Sequence, residues 1–350
     1  MWAWNWLVGD ETLTRKLRNY SAKHVKISEA DMTRTKKLVT DYVENQIMWY
    51  CRKKSSLPIL KLEYTGSVYE RLKTEAADEV DVMVVLKTTA PWLWGDPEVM
   101  VEDTDVPGYV RLKAREDTKF RKYAGTEGYI HPERLRNGWF YSLVVQAIND
   151  FRSRSPRSDV DMVVRAHGPA VQLDIFKKES GLTLLSADLV PCFQIGADSF
   201  YVTKPYRGGR RYVASPGLLW RQSFSLKEKS ILEYMDRDHG CRHELLRIVK
   251  TIVNREPTSL GRLESYHLKT AFMHYIKETR RKWTSRNSLG EHFAGFLGEL
   301  QKALENGNLP HYWLDGVNVL DDIDEVVMKN MAYRLKRILN SEAERDRILE

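Results

Sequence analysis

Cysteine is scarce in this 350-residue chain. Cys51, Cys192 and Cys241 lie far apart and set no disulfide framework, so a reducing compartment is expected. Long apolar runs are missing: nothing approaches the roughly 20 residues that span a bilayer. The start, "MWAWNWLVGDETLTRK", is aromatic but lacks the basic region and long apolar core of a signal peptide. There is no internal repeat, low-complexity tract or long linker. These absences exclude a disulfide-stapled secreted domain, a helical membrane protein and a solenoid, and leave a soluble cytoplasmic protein as the expectation. What is present is 42% hydrophobic and 29% charged residues, enough for a sizeable core. The net charge of +7 permits a polyanionic partner without proving one.

The chain changes texture once. Ser28 followed by Asp31 is a capping-box arrangement, and Val39, Val43, Ile47 and Cys51 recur at helical spacing, which predicts a long helix over about 29–53. "ILKLEY" and "EVDVMVVLKT" read as strands, "GWFYSLVVQAINDFR" as a helix, "DMVVRAHGPAVQLDIF" as a hairpin and "LTLLSADLVPCF" as a further strand. From about residue 216 onward, segments such as "CRHELLRIVKTIVNRE" and "LGEHFAGFLGELQKALE" carry helical periodicity throughout. The expected architecture is a mixed α/β lobe over 1–215 and an all-helical lobe over 216–350, packed as one unit with a cleft between them.

Within "YTGSVYERLKTEAADEVDVMVVL", Glu79 and Asp81 sit two apart on a strand and so share one face. Adjacent carboxylates repel, and burying them unpaired is costly, so a cation is expected between them. Gly66 permits close approach of the backbone to a phosphate, Ser67 adds a hydroxyl, and the following helix start offers free N–H groups. This layout suits handling of a nucleoside triphosphate, with divalent metals shared by the acids. The plain alternative is a solvated edge strand preceded by an ordinary turn.

That segment resembles the nucleotidyltransferase signature of cyclic GMP–AMP synthase, its cGAS-like receptors and the male-abnormal family. The likeness continues in the capped helix before it, similar to the family's spine helix. It returns in order in "WRQSFSLKEKSILEYMD", "CRHELLRIVK" and "SYHLKTAFMH", over roughly residues 25–320. It implies a bilobal enzyme with an active-site cleft and a pair of Mg²⁺ or Mn²⁺ ions held by three acids, Glu79, Asp81 and a third. Asp174 in "AVQLDIF" and Asp188 in "LSADLVPCF" compete for that place. The family's third acid follows a small or branched residue on a strand soon after a hairpin, which favours Asp188.

The same resemblance implies nucleotide contacts from Thr65, Gly66, Ser67, Arg221, Ser223, Ser225, Lys250, Ser265, Tyr266 and Lys269. In it Tyr266 stacks on a base, with Lys269 on the same side of its helix. Ser225 with Glu228 can equally be a helix cap, and Tyr266, Lys250 and Lys269 can be core and solvated residues. The zinc-binding insertion of vertebrate cGAS has no counterpart. His239, Cys241 and His243 do not make a four-ligand site, so no structural zinc is expected.

Between Ser199 and Lys227 there is no acid, while Lys204, Arg207, Arg210, Arg211, Arg221 and Lys227 are basic. Arg34, Lys37, Arg52 and Lys53 decorate the long helix, and Arg242 and Arg247 open "CRHELLRIVK". By resemblance these line a nucleic-acid surface read by shape and charge, double-stranded RNA ahead of DNA, with dimerisation on nucleic acid possible. The implied activity is cyclic dinucleotide synthesis from ATP and GTP in innate antiviral sensing. The alternatives are a catalytically silent male-abnormal-type scaffold and a linear polymerase like oligoadenylate synthase.

Overall fold

Ser28 opens the long helix as expected: its Oγ accepts the Asp31 backbone N–H at 3.0 Å and donates to the Asp31 carboxylate at 2.7 Å. In this computed structural model, which describes residues 12–74, 78–88, 97–206 and 213–350, the helix runs without a break through Glu29–Leu38, Val39–Met48 and Trp49–Lys54. The middle segment takes the wider turns of a π-helix. Val39, Val43, Ile47 and Cys51 are all essentially inaccessible, so the apolar stripe read from their spacing is the packed face. Each such aliphatic side chain contributes about 1.5–3 kcal/mol when fully removed from water. Ser55 and Pro58 end the helix, the Ser55 N–H closing on the Cys51 carbonyl at 2.9 Å.

The helix lies against a mixed sheet of nine strands among the described residues: β1 (Ile59–Thr65), β2 (Glu79–Leu86), β3 (Val99–Asp103), β4 (Tyr109–Ala114), β5 (Val160–His167), β6 (Ala170–Lys177), β7 (Thr183–Gln194), β8 (Phe200–Val202) and β9 (Leu219–Ser223). Its path is β1-β2-β7-β8-β9-β4-β3, with the β5–β6 hairpin branching from β7. Among the described residues the β2–β7 pair is parallel, and the other seven strand pairs are antiparallel. Val80, Val82, Val84 and Leu86 of β2, with Leu185, Ala187 and Leu189 of β7, face the main core. Period-two alternation therefore turns Glu79, Asp81, Ser186 and Asp188 to the opposite face.

By internal contacts the chain divides into a helical unit, Met1–Ile27, Glu70–Glu75 and Ser230–Glu350, and a sheet unit, Ser28–Tyr69 and Ala76–Lys229. The reading from sequence drew its line at 215/216. The division falls later because Leu219–Ser223 is not helical: it pairs with β8 and β4 and completes the sheet. The helical unit is built on Arg242–Arg255, Ser265–Glu278, Ser288–Glu305 and Glu325–Asn340. At its centre Phe272 meets Phe296 edge-on at 4.9 Å, a favoured aromatic geometry. No helix among the described residues is long and apolar enough to cross a membrane. Trp2, Trp4, Trp6, Trp92, Trp94, Arg207, Arg210 and Arg211 lie outside the described residues.

Candidate active site

The parallel register of β2 and β7 brings the carboxylates together. Asp81 and Asp188 are Cα partners, as are Glu79 and Ser186. On the other side of β2, Thr65 at the end of β1 is the Cα partner of Asp81. Thr65, Asp81 and Asp188 therefore form one cross-strand row on one face, with Glu79 one step along it. β1 then turns into the short helix Gly66–Tyr69 at Gly66, whose φ of +80° is a backbone state that side chains with a Cβ rarely adopt. A Cβ built on Gly66 would collide with the Asp81 carboxylate. Glycine is thus needed twice, for the turn and for the approach of an acid to it. Thr65 is buried and Ser67 half-buried.

Asp188 is incompletely satisfied. Its Oδ1 is buried with no hydrogen-bond partner, and its Oδ2 lies 3.6 Å from His167 Nδ1. Burial raises its pKa above the ordinary aspartate value, nearby Glu79 raises it further, and His167 opposes both. Asp174 is in the opposite condition. It faces Ser186 across β6–β7, accepts the Ser186 hydroxyl at 2.7 Å and takes an ion pair from Arg165. Both its oxygens are engaged, one strand away from the Asp81–Asp188 row. Among the described residues no three His, Cys, Asp or Glu side chains are gathered closely enough to form a metal cage. The donor set still fits a hard divalent cation: the carboxylates sit on neighbouring positions, and one oxygen is buried without a partner.

The other expected contacts fall in both units. In the sheet unit Arg221 and Ser223 belong to β9, and Ser225 opens the helix Ser225–Glu233. The Ser223 and Ser225 hydroxyls are 3.0 Å apart, and Ser223 Oγ accepts the Ser225 N–H at 3.4 Å. Ser223 thus places a second hydroxyl at this helix start, beside that of Ser225.

In the helical unit Lys250 is buried and donates to the Leu72 carbonyl at 3.0 Å. Lys269 pairs with the buried Glu70 at 3.2 Å. The Tyr266 hydroxyl bonds His311 Nε2 at 2.8 Å, and Ser265 is exposed at the start of its helix. Glu70, His167, Arg165 and Ser186 escaped the reading from sequence. The strand pairing of "DMVVRAH" with "AVQLDIF" was the one signal for Arg165, and nothing local announced Glu70 as the acid for Lys269.

Of the expected nucleic-acid contacts, Arg34, Lys37, Arg52 and Lys53 are exposed along the long helix. Lys53 Nζ sits 5.0 Å over the exposed Trp49 ring, which the Arg154 guanidinium also approaches at 5.4 Å. Arg242 is engaged within the helical unit. It pairs with Asp236 and Asp238 and lies 4.6 Å over the Trp283 ring, so its charge is already neutralised within the helical unit. Arg247 is half-buried, with its Nε unpartnered, and burial lowers its pKa. The nearby His243 is held by Asp236 at 2.8 Å, and Cys241 Sγ lies 3.5 Å from the Ser288 hydroxyl. All three cysteines are free thiols.

Comparison with known proteins agrees with this architecture. Residues 68–234 match the Mab-21 protein nucleotidyltransferase domain, and residues 241–337 match the Mab-21 protein HhH/H2TH-like domain. The chain is 55% identical over 343 residues to cyclic GMP-AMP synthase-like receptor 3 of Stylophora pistillata, covering 97% of this chain and 98% of that protein. It is 25% identical over 327 residues to a cyclic GMP-AMP synthase-like receptor of Ctenocephalides felis, covering 79% and 72%. It is also 27% identical over 289 residues to mitochondrial dynamics protein MID51 of Danio rerio, covering 80% and 59%. With an acid-bearing sheet in the first matched region and a helical unit in the second, this chain belongs to the cyclic GMP-AMP synthase-like receptors of the Mab-21 nucleotidyltransferase family.

Proposed function

We propose that this nucleotidyltransferase is a nucleic-acid-activated cyclic dinucleotide synthase. Glu79, Asp81 and Asp188 would hold Mg²⁺ or Mn²⁺. Bound there, such ions neutralise charge on the triphosphate and favour both the attacking and the leaving oxygen of an in-line displacement. The observation that carries the reading is the Asp81–Asp188 pairing across parallel strands, with the Gly66 turn pressed against Asp81.

In the proposed reaction a ribose hydroxyl of one nucleotide attacks the α-phosphorus of a second. A new P–O bond forms, the bond to the β-phosphate breaks, the hydroxyl proton goes to solvent and pyrophosphate leaves. A second displacement of the same kind closes the ring. The residues of the chain orient and bind. N–H groups after Gly66 and the Ser67 hydroxyl face phosphate, Arg221 pairs with phosphate or a guanine edge, and Ser223 and Ser225 offer hydroxyls. Ser265 and Tyr266 remain proposed nucleotide contacts, as do Lys250 and Lys269 once their carbonyl and carboxylate partners are exchanged. ATP and GTP are the proposed substrates, double-stranded RNA the proposed activator and the cytosol the proposed setting. Contact of RNA with Arg34, Lys37, Arg52 and Lys53 would favour the Thr65–Ser67 arrangement competent for metal binding.

The test incubates the protein with ATP, GTP, Mg²⁺ or Mn²⁺ and double-stranded RNA. A phosphatase-resistant dinucleotide is expected, whereas linear products keep a terminal phosphate that phosphatase removes. Folded protein that gives no product across nucleotides and ligands would overturn the reading. It would turn attention to a binding role, since one relative at 27% identity is named for mitochondrial dynamics.

A further inference from the structure

Far along the sequence from the acids, the helical unit carries a second charged constellation that the proposed reaction does not use. An open cavity of ≈ 470 Å³ is lined by four arginines, Arg255, Arg334, Arg337 and Arg347, and two carboxylates, Glu256 and Glu344. Glu256 accepts from Arg334 Nε at 3.0 Å and Arg347 Nη2 at 2.7 Å. Glu344 accepts from Arg334 Nη1 at 2.7 Å, Arg347 Nε at 3.3 Å and Arg337.

Two features make this more than a structural network. First, four guanidinium charges face two carboxylates, so the lining is positive by two. Glu256 cannot be supplying a hidden neutral form: burial alone would raise its pKa, but hydrogen bonds from Arg334, Ser259 and Arg347 hold it at about 2. Second, Arg334 is 8% exposed, and its Nη2 is buried with no hydrogen-bond partner. An unmet donor on a buried cation is costly, and natural proteins leave few of them. Guanidinium forks match phosphate oxygens in geometry as well as charge. Arg255 rests beside Tyr20, with its Nη1 donating to the phenol oxygen at 3.4 Å, so the cavity has an aromatic neighbour on one side.

We propose that this cavity is a second ligand site, for a compact, multiply charged phosphate anion, independent of the carboxylate face. The probe is inorganic triphosphate, titrated calorimetrically into the full chain at fixed ionic strength with EDTA present, so that no divalent cation can bridge phosphate to Glu79, Asp81 or Asp188. Saturable one-to-one binding is expected. It should weaken about tenfold in R337Q/R347Q, which removes two charge-assisted contacts, and tighten severalfold in E344Q, which removes a competing anion. A merely structural cluster would not bind more tightly on losing a carboxylate.

Both arginines are half-exposed. Should R337Q/R347Q nevertheless fail to fold by circular dichroism, E344Q decides alone, unchanged or weaker binding overturning the site. Absence of saturable binding, or binding unaffected in folded R337Q/R347Q, also overturns it. ATP binding as tightly as triphosphate would assign recognition to the phosphates alone, and tighter ATP binding would assign it to a nucleotide.

Discussion

The acid face of the sheet unit and the arginine cavity of the helical unit are opposite in sign and alike in kind. Each gathers like charges, and each leaves one buried polar atom without a hydrogen-bond partner, Asp188 Oδ1 in the first and Arg334 Nη2 in the second. Two other carboxylates among the described residues are balanced by their neighbours. Asp174 is closed off by Arg165 and Ser186. Burial alone would raise the pKa of Asp236, yet hydrogen bonds from His243 and from the Arg242 and His243 backbone bring it below the ordinary value. The contrast teaches where to look for ligands: charge that the fold satisfies holds the fold, and charge that it leaves unsatisfied waits for something else.

The sharpest way to break that comparison is to exchange the two aspartates. Asp188→Asn should abolish product formation, by about 100- to 1,000-fold or more as for loss of an electrostatic group at a reacting centre. The melting temperature without metal should not fall and should rise slightly, because a buried, incompletely partnered carboxylate charge is removed. Rates per folded molecule and thermal melts check both halves, and a large loss of stability with activity retained would reverse the assignment.

Gly66→Ala should come next. It places a side chain at φ +80° and drives a methyl group into the Asp81 carboxylate. The strain is about 1–3 kcal/mol, and activity should fall at least about tenfold because the acid is displaced from its row.

Asp174→Asn should behave conversely to Asp188→Asn, lowering stability by about 1 kcal/mol in urea titration while leaving more of the turnover. That figure sits at the low end for a charge-assisted bond because Arg165 is largely exposed.

The smallest effect is on pH dependence, and there the two regions should differ in sign. Glu256 has a depressed folded pKa, so its stabilisation is present above the usual glutamate range and is lost as pH falls toward about 2. Asp188 has a raised one. Its folded form binds a proton more readily than the unfolded chain does, so its contribution favours the fold as pH falls through that raised value. Acid unfolding of Glu256→Gln and Asp188→Asn, each against the parent chain, should therefore shift in opposite directions.

Much of this was legible in the sequence because the signals were local. The buried stripe Val39, Val43, Ile47 and Cys51 follows from helical spacing, and the Ser28 cap from two residues three apart. Glu79 and Asp81 share a face because a strand alternates with period two. The β9 strand was not legible: five residues between a basic stretch of sequence and a helix carry too little pattern, and pairing with β8 and β4 decides their state. The pairing of Arg242 with Asp236 and Asp238 was not legible for a related reason. A cation on an amphipathic helix looks solvent-bound until the acids of the preceding loop fold back upon it.

By itself the sequence determined the order of elements, the two chemically distinct halves and the residues able to bear charge. Only the tertiary structure decided which charges meet: that Asp188 rather than Asp174 lies beside Asp81, that Glu70 takes Lys269, and that four distant arginines share one cavity. The reason is physical. Helix and strand periodicity are set by backbone geometry within a few residues, whereas strand register and ion pairing depend on packing between segments as far apart in the chain as Lys16 and Asp346, which no local pattern encodes.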